Sequence, residues 1–208
     1  MAKETTIDKL LEHFQTSENI TILDIGACDF SEGIMLKQQF PNSEVYGIEA
    51  DKINFEKNCV LAIEKGINVF NLALGDYNGK ITFYPSLFEI NQNIEWRFAG
   101  SIVKPIFKEN SNEAINHNVT YDKEGYEIDV MRLDSFCIRN NISKIDYIHI
   151  DVEGAEDRVL STMGKYKPQL IFAETAHFDT KKYDNKLKSI VSPADNKELP
   201  GTLNFNFV

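Results

Sequence analysis

From Thr6 onward the chain alternates between two periodicities. "TIDKLLEHF" places Ile7, Leu10, Leu11 and Phe14 on one helical face, and the short apolar run "ITILDI" follows. That run predicts a first strand. "SEGIMLKQQF" then predicts a helix that Pro41 must stop, because proline has no amide hydrogen with which to continue the ladder. "EVYGIEA" predicts a second strand, "INFEKNCVLAIEKG" a helix capped at Gly66, and "INVFNLAL" a third strand. The Asn78-Gly79 pair in "GDYNGKITFY" has the chemistry of a tight hairpin, so the third strand is expected to lead into a short antiparallel addition.

Between Pro85 and Gly125 the pattern dissolves into polar residues, asparagines and isolated aromatics. A long irregular stretch inside a compact domain is usually a functional cover or a flexible insertion. Regularity returns with "YEIDVMRL", a helix "LDSFCIRNN", a strand "IDYIHIDV", a helix "AEDRVLSTMGK" and, after Pro168, a strand "QLIFAE". Strands that are apolar throughout and alternate with helices predict an α/β fold, a doubly wound and mostly parallel sheet with helices on both faces. No repeat, low-complexity tract or linker divides the chain. Residues 1–208 read as a single domain, with 85–125 an irregular insertion or acceptor-site cover within it.

Composition narrows the partners. The 208 residues suffice for one full core. A net charge of -10, with no basic cluster to offset it, repels phosphate backbones, so nucleic acid is not an expected partner. No apolar run approaches the ~20 residues that span a bilayer, and "MAKETTIDKL" lacks the apolar core of a signal peptide. A cytoplasmic location is therefore the default expectation. Cys28, Cys59 and Cys137 stand far apart with no zinc spacing, which predicts reduced, mostly buried thiols and no metal site.

In an open parallel sheet, ligands collect beyond the carboxyl ends of the strands where strand order reverses. The polar residues at those ends are Asp24 with Gly26, Glu49 with Asp51, Asn71, Asp151 with Glu153, and Glu174 with His177. A carboxylate at the end of the second strand can accept both hydroxyls of a ribose, which makes Glu49 the first candidate. A dinucleotide would require GxGxxG to admit a pyrophosphate to a helix N-terminus; "GACDFS" holds one glycine. Adenosine without phosphate points to S-adenosylmethionine. The plain alternative is that Gly26 only turns the chain and Glu49 is solvated.

Taken together, "ILDIGACDFSEG", "VYGIEADKINFEKN", "NLALGDYNGKITFY", "MRLDSF", "YIHIDVEGAEDRVL" and "PQLIFAE" resemble the successive blocks of the FkbM-type S-adenosylmethionine-dependent methyltransferases. The most specific block is "IDVEGAE". This resemblance implies a Rossmann-like class I methyltransferase sheet of seven strands, one of them antiparallel near its end. It implies that Asp24, Gly26 and Ala27, with Cys28 in the same loop, face the methionine part of the cofactor. It gives Glu49, beside Ala50, the ribose, and sets Asn71, Ala73 and Leu74 around the adenine. Asp151 is implied near the amino group or methyl of the cofactor and next to the acceptor.

The chain departs from the family pattern in several places. Cys28 stands for an asparagine, Phe30 for a glycine and Ala50 for a proline; Asn54 matches a family asparagine, or serves only the helix surface. Phe30 must either lean into the core or shrink the pocket. His149 replaces a frequent lysine and reads as a hydrogen-bonded histidine within the sheet. After His177 remain a helix, "KKYDNKLKSIV", and one strand, "LNFNFV", so one of the two closing strands is missing or replaced.

Methyl transfer from a sulfonium is an in-line displacement, so the protein mainly aligns donor and acceptor and removes a proton from an oxygen acceptor. Candidate bases are Asp151, Glu153, Glu174 and His177. Glu156 reads as a second charge at a helix N-terminus. Trp96, Arg97, Ser101 and Tyr121 are available in the 85–125 segment to contact a hydroxylated substrate, and "AGSIVKP" adds Gly100. The resemblance implies O-methylation of a sugar, polysaccharide or secondary metabolite, hence a small-molecule or glycan acceptor. Two rivals are a cofactor-binding protein that has lost activity, favoured by Cys28 and Phe30, and a Rossmann-type nucleotide-sugar or NAD enzyme, disfavoured by the missing phosphate loop.

Overall fold

The computed structural model describes residues 6–86, 88–90, 94–106, 120–174 and 203–206, those at 6, 88–90, 94–96 and 203–206 by their backbone alone. In chain order the elements are α1 (Thr6–His13), β1 (Thr21–Ile25), α2 (Ser31–Gln39), β2 (Glu44–Glu49), α3 (Lys52–Glu64) and β3 (Ile67–Asn71). Then come β4 (Ala73–Gly75), β5 (Gly79–Phe83), β6 (Phe88–Ile90), β7 (Ile94–Trp96) and β8 (Tyr126–Arg132). α4 (Leu133–Arg139), β9 (Tyr147–Ile150), α5 (Glu156–Leu160), β10 (Leu170–Glu174) and β11 (Leu203–Asn206) complete the described set.

The main sheet runs β11-β10-β9-β1-β2-β3, and every pairing in it is parallel. Its central strands β1, β9 and β10 are buried or partly buried on both faces, because alternate side chains feed two separate cores. Ile22, Val45 and Leu170 pack with Leu10 of α1, Leu36 of α2 and Ala62 of α3. Leu23, Ile48, Ile148 and Ile171 pack on the opposite face with Phe136 of α4 and Leu160 of α5. Helices on both faces make the sheet doubly wound, as the apolar runs predict. β1 is its pivot: β2 and β3 lie to one side and β9, β10 and β11 to the other. The crevice at the ends of β1 and β9 is therefore the switch point at which such sheets bind ligands.

Two local expectations are corrected. The run "INVFNLAL" is not one strand, because β3 ends at Asn71 and β4 leaves the main sheet to pair in parallel with β8. β4 is fully buried and the apolar residues of β3 are at least partly so, and the periodicity gave no sign of the break between them. The Asn78-Gly79 turn does not make a hairpin either. β8 lies between β4 and β5, and β5 pairs with it in antiparallel fashion. The Asn78 side chain instead accepts from Arg132 N at 2.9 Å and donates to Ser135 Oγ at 3.1 Å, so long-range pairing overrides the local turn preference.

At the chain's end the strand expected in "LNFNFV" is present as β11, parallel to β10. An antiparallel strand near the end of the main sheet is not among the described strands. The helix expected in "KKYDNKLKSIV" and the candidate His177 lie outside the described residues. No helix among those described is long and apolar enough to cross a membrane.

Candidate functional site

A pocket opens at the switch point, lined by Gly26 and Cys28 after β1, Glu49 and Ala50 after β2, Ala73 and Leu74 of β4, and Asp151 after β9. Arg97, Phe98, Gly100, Ser101 and Ile102 close it from the insertion. The space it leaves for a water-sized group is small, about 40 Å³.

Glu49 is the best-fixed group in it. The side chain is buried, Oε1 accepts from Asp51 N at 2.6 Å, and Oε2 accepts from Cys28 N at 2.7 Å. Burial pushes its carboxyl up to about 8, against those two backbone N–H groups, which favour the charged form. Two donors on separate loops fix its orientation before any ligand arrives. Each oxygen keeps a lone pair, so the carboxylate can still accept hydroxyl donors.

Asp151 is its counterpart across β1. Its backbone N–H donates to Ile25 O at 2.9 Å, which anchors the chain but leaves the side chain to the pocket. The carboxyl makes no hydrogen bond among the described residues. Burial, and after it Glu153, Glu174 and Glu156, push it well above the carboxylate range, with His149 opposing. Glu156 organises the following loop, Oε1 accepting from Val152 N at 3.1 Å and Gly154 N at 3.2 Å. The seam between the halves is Gly26, at φ +83, where an added Cβ would sit 1.8 Å from Asp151 O.

The two suspect residues of the first loop separate cleanly. Phe30, at φ 63, is fully buried on the α1–α3 face of the sheet; a Cβ at Gly47 would lie 2.6 Å from its ring, so it fills the space that glycine leaves. It does not line the pocket. Cys28, at φ 48, does line it, with its thiol 3.6 Å from Asn54 Nδ2. Burial, and then Glu49, Asp29, Asp51 and Asp151, raise that thiol far above its ordinary value. It remains a neutral wall and no nucleophile.

Three candidates implied for the cofactor stand off the pocket. Asp24 is fully buried, with Oδ2 accepting from Gly33 N at 3.0 Å and Oδ1 2.9 Å from His149 Nδ1. Its work is to hold α2 and His149 against the sheet. Asn71 donates to Glu49 O at 2.9 Å and Ala50 O at 3.4 Å, bracing the β2 loop from behind. Ala27 packs in the core beside Phe30. His149 is the hydrogen-bonded sheet histidine expected, stacked on Phe172; burial lowers its affinity for a proton, but Asp24, Glu32 and Asp151 together outweigh that and raise it.

The insertion departs from expectation in detail. Arg97 does not reach toward a substrate. Its Nε and NH2 meet Asp51 Oδ2 at 2.9 and 2.8 Å, and both side chains are buried. Ser101 Oγ donates to Glu153 O at 2.9 Å, and Tyr121 is buried, its hydroxyl pushed up to about 12 by burial and Glu153. The Trp96 side chain lies outside the described residues. Sequence reading missed the Arg97–Asp51 pair: the two are separated by 46 positions, and no local pattern joins them. Glu174 is partly buried and acts on Asp151 through its charge. Among the described residues, no group of three or more His, Cys, Asp or Glu is placed to hold a metal ion.

A parallel sheet with its pocket at the β1 switch point and a pinned carboxylate at the end of β2 is a class I methyltransferase fold of the Rossmann-like kind. The model of the methyltransferase FkbM domain matches residues 24–192, and the chain belongs to that family. It is 28% identical over 172 residues to the 2-O-methyltransferase NoeI of Sinorhizobium fredii, covering 80% of this chain and 66% of that one. It is 25% identical over 169 residues to methyltransferase 1 of Beauveria bassiana, covering 76% and 64%. The chain thus spans just under two thirds of the curated relatives it matches. A crystal structure of a methyltransferase FkbM from Methylobacillus flagellatus superimposes with a TM-score of 0.51 at 18% identity, over 89% of this chain and 40% of that one.

Proposed function

We propose that this methyltransferase binds S-adenosylmethionine in the switch-point pocket and transfers its methyl group to a hydroxyl oxygen of a sugar, a polysaccharide or another hydroxylated metabolite. The observation that carries the reading is Glu49, a buried carboxylate oriented by two backbone N–H groups at the position where a ribose would present its hydroxyls. The donor set fits the rest of the cofactor. Leu72, Ala73, Leu74 and Phe83 supply an apolar end for adenine, and the first loop lacks the glycines a pyrophosphate would need. An oxygen acceptor is supported by the similarity to a protein named as a 2-O-methyltransferase.

The cofactor supplies the activated methyl group. The protein's task is then alignment and removal of one proton. Asp151 is the best-placed base, because it lines the pocket with a carboxyl that makes no hydrogen bond among the described residues and whose raised proton affinity brings it closer to neutral pH. Calorimetric titration with S-adenosylhomocysteine tests the reading, with micromolar-range binding expected. Absence of heat, and of competition by S-adenosylmethionine, would overturn it. Binding without turnover across a panel of glycans and small hydroxylated metabolites would leave the cofactor assignment and remove the transfer.

A further inference from the structure

Asp51 is a hub that the proposed reaction does not explain. Its backbone N–H holds Glu49 Oε1 at 2.6 Å. Its Oδ1 caps α3, accepting from Ile53 N at 2.8 Å and Asn54 N at 3.2 Å. Oδ2 takes both Arg97 contacts. The chain beyond Arg97 is tied down twice more: Asn54 Nδ2 donates to Arg97 O at 2.9 Å, and Ser101 donates to Glu153 O. Tyr126, whose hydroxyl accepts from Lys52 N at 3.0 Å, also meets Arg97.

Residues 97–102 are thus a wall fastened at one end to the β2–α3 loop and at the other to the β9 loop. Five of them line the pocket. We infer that Arg97 is a positioning residue for the cofactor, acting through Asp51 to fix both Glu49 and the wall that faces it. The inference rests on the reading that this pocket holds S-adenosylmethionine. Its physical basis is that a buried carboxylate stripped of the cation that pairs with it must turn outward or draw in water. Either change removes the order of the loop whose N–H orients Glu49, and it frees the wall at the same time.

The test is a titration of the full chain with S-adenosylhomocysteine, read by calorimetry and by emission of the chain's single tryptophan, Trp96, which adjoins Arg97. Wild-type emission is expected to change with the same midpoint as the heat. Arg97→Ala is expected to raise Kd at least tenfold, with Arg97→Lys in between, since lysine keeps the charge and loses the two-pronged contact. Should Arg97→Ala fail to fold, Arg97→Lys carries the test, and a Kd raised severalfold is expected of it.

A purely structural ion pair would lower the melting temperature and leave Kd alone. Kd within twofold of wild type in whichever of these variants folds would overturn the inference while the cofactor reading stands. If wild-type protein itself does not bind S-adenosylhomocysteine, the cofactor reading falls, and the inference falls with it.

Discussion

Glu49 and Asp151 stand at the ends of β2 and β9, on either side of β1, and burial raises the proton affinity of both. Only Glu49 is held: two backbone N–H groups fix its oxygens, whereas the Asp151 carboxyl has no hydrogen bond among the described residues. The contrast fits the two roles proposed for them, ribose binding and proton removal. A binding group gains from being oriented in advance, since nothing then has to reorganise when the ligand arrives. A base gains from an unbonded carboxyl that can take up a proton. The surroundings follow the same division. The β2 side is braced by Asn71, Asp51 and Arg97, while the loop after β9 carries Glu153 at φ 52 and Gly154 at φ 98 and is crowded with like charges.

The most severe way to break this comparison is at the seam. Gly26→Ala forces a Cβ against Asp151 O at a left-handed φ, so the two halves cannot keep their spacing. A loss of about 3 kcal/mol or more is expected, seen as insoluble protein or a collapsed melting temperature. A melting curve within a degree or two of wild type would show that the seam yields.

Asp151→Asn should next lower turnover by roughly 10²–10⁴-fold with any acceptor found by screening, while Kd for S-adenosylhomocysteine moves much less. Equal losses in rate and affinity would erase the division of labour. Glu49→Ala strands the Cys28 and Asp51 N–H groups and removes the ribose partner. A cost of about 1–3 kcal/mol, or roughly 5- to 150-fold in Kd, is expected by calorimetry.

Smaller effects come from protonation. The Glu49 carboxyl moves from 4.5 to about 8 on folding, so between those values the folded chain binds more protons than the unfolded one. Stability of the ligand-free protein must therefore fall as pH rises from about 4.5 to about 8, and Glu49→Gln should flatten that slope in pH-resolved thermal unfolding. A slope unchanged in the variant would assign it elsewhere, Asp151 being the next group to replace. The smallest change is expected for Cys28→Gly. Relief of the left-handed φ of 48 and the added freedom of the unfolded chain nearly cancel, leaving a stability change within about 1 kcal/mol. A larger loss would show the thiol to be a packing element of the pocket.

Much of this was legible in the chain. Alternation of apolar runs with helical periods located the strands of the main sheet, because its central strands are buried on both faces and its helices on one. Glu49 and Asp151 could be read as pocket-lining for the same reason: a polar residue ending a buried strand tends to emerge at the edge where such sheets open. Asp24 meets that rule and still serves the core, since its neighbours across the sheet and in α2 consume both oxygens. Asn78-Gly79 carried true turn chemistry, overridden when β8 offered seven residues of pairing surface. Phe30 was ambiguous from sequence and unambiguous in three dimensions, because only there does the space above Gly47 appear.

The sequence by itself determined the alternation of strands and helices in the main sheet, the family and the carboxylates at the strand ends. These are consequences of local periodicity and of strand ends, which are written along the chain. Tertiary structure alone decided which of those carboxylates is pinned and which is left open. That depends on Arg97 meeting Asp51, on the Cys28 N–H reaching Glu49, and on Gly26 resting against Asp151. Each is a contact between residues distant in sequence, selected by how the packed elements meet rather than by any neighbour's identity.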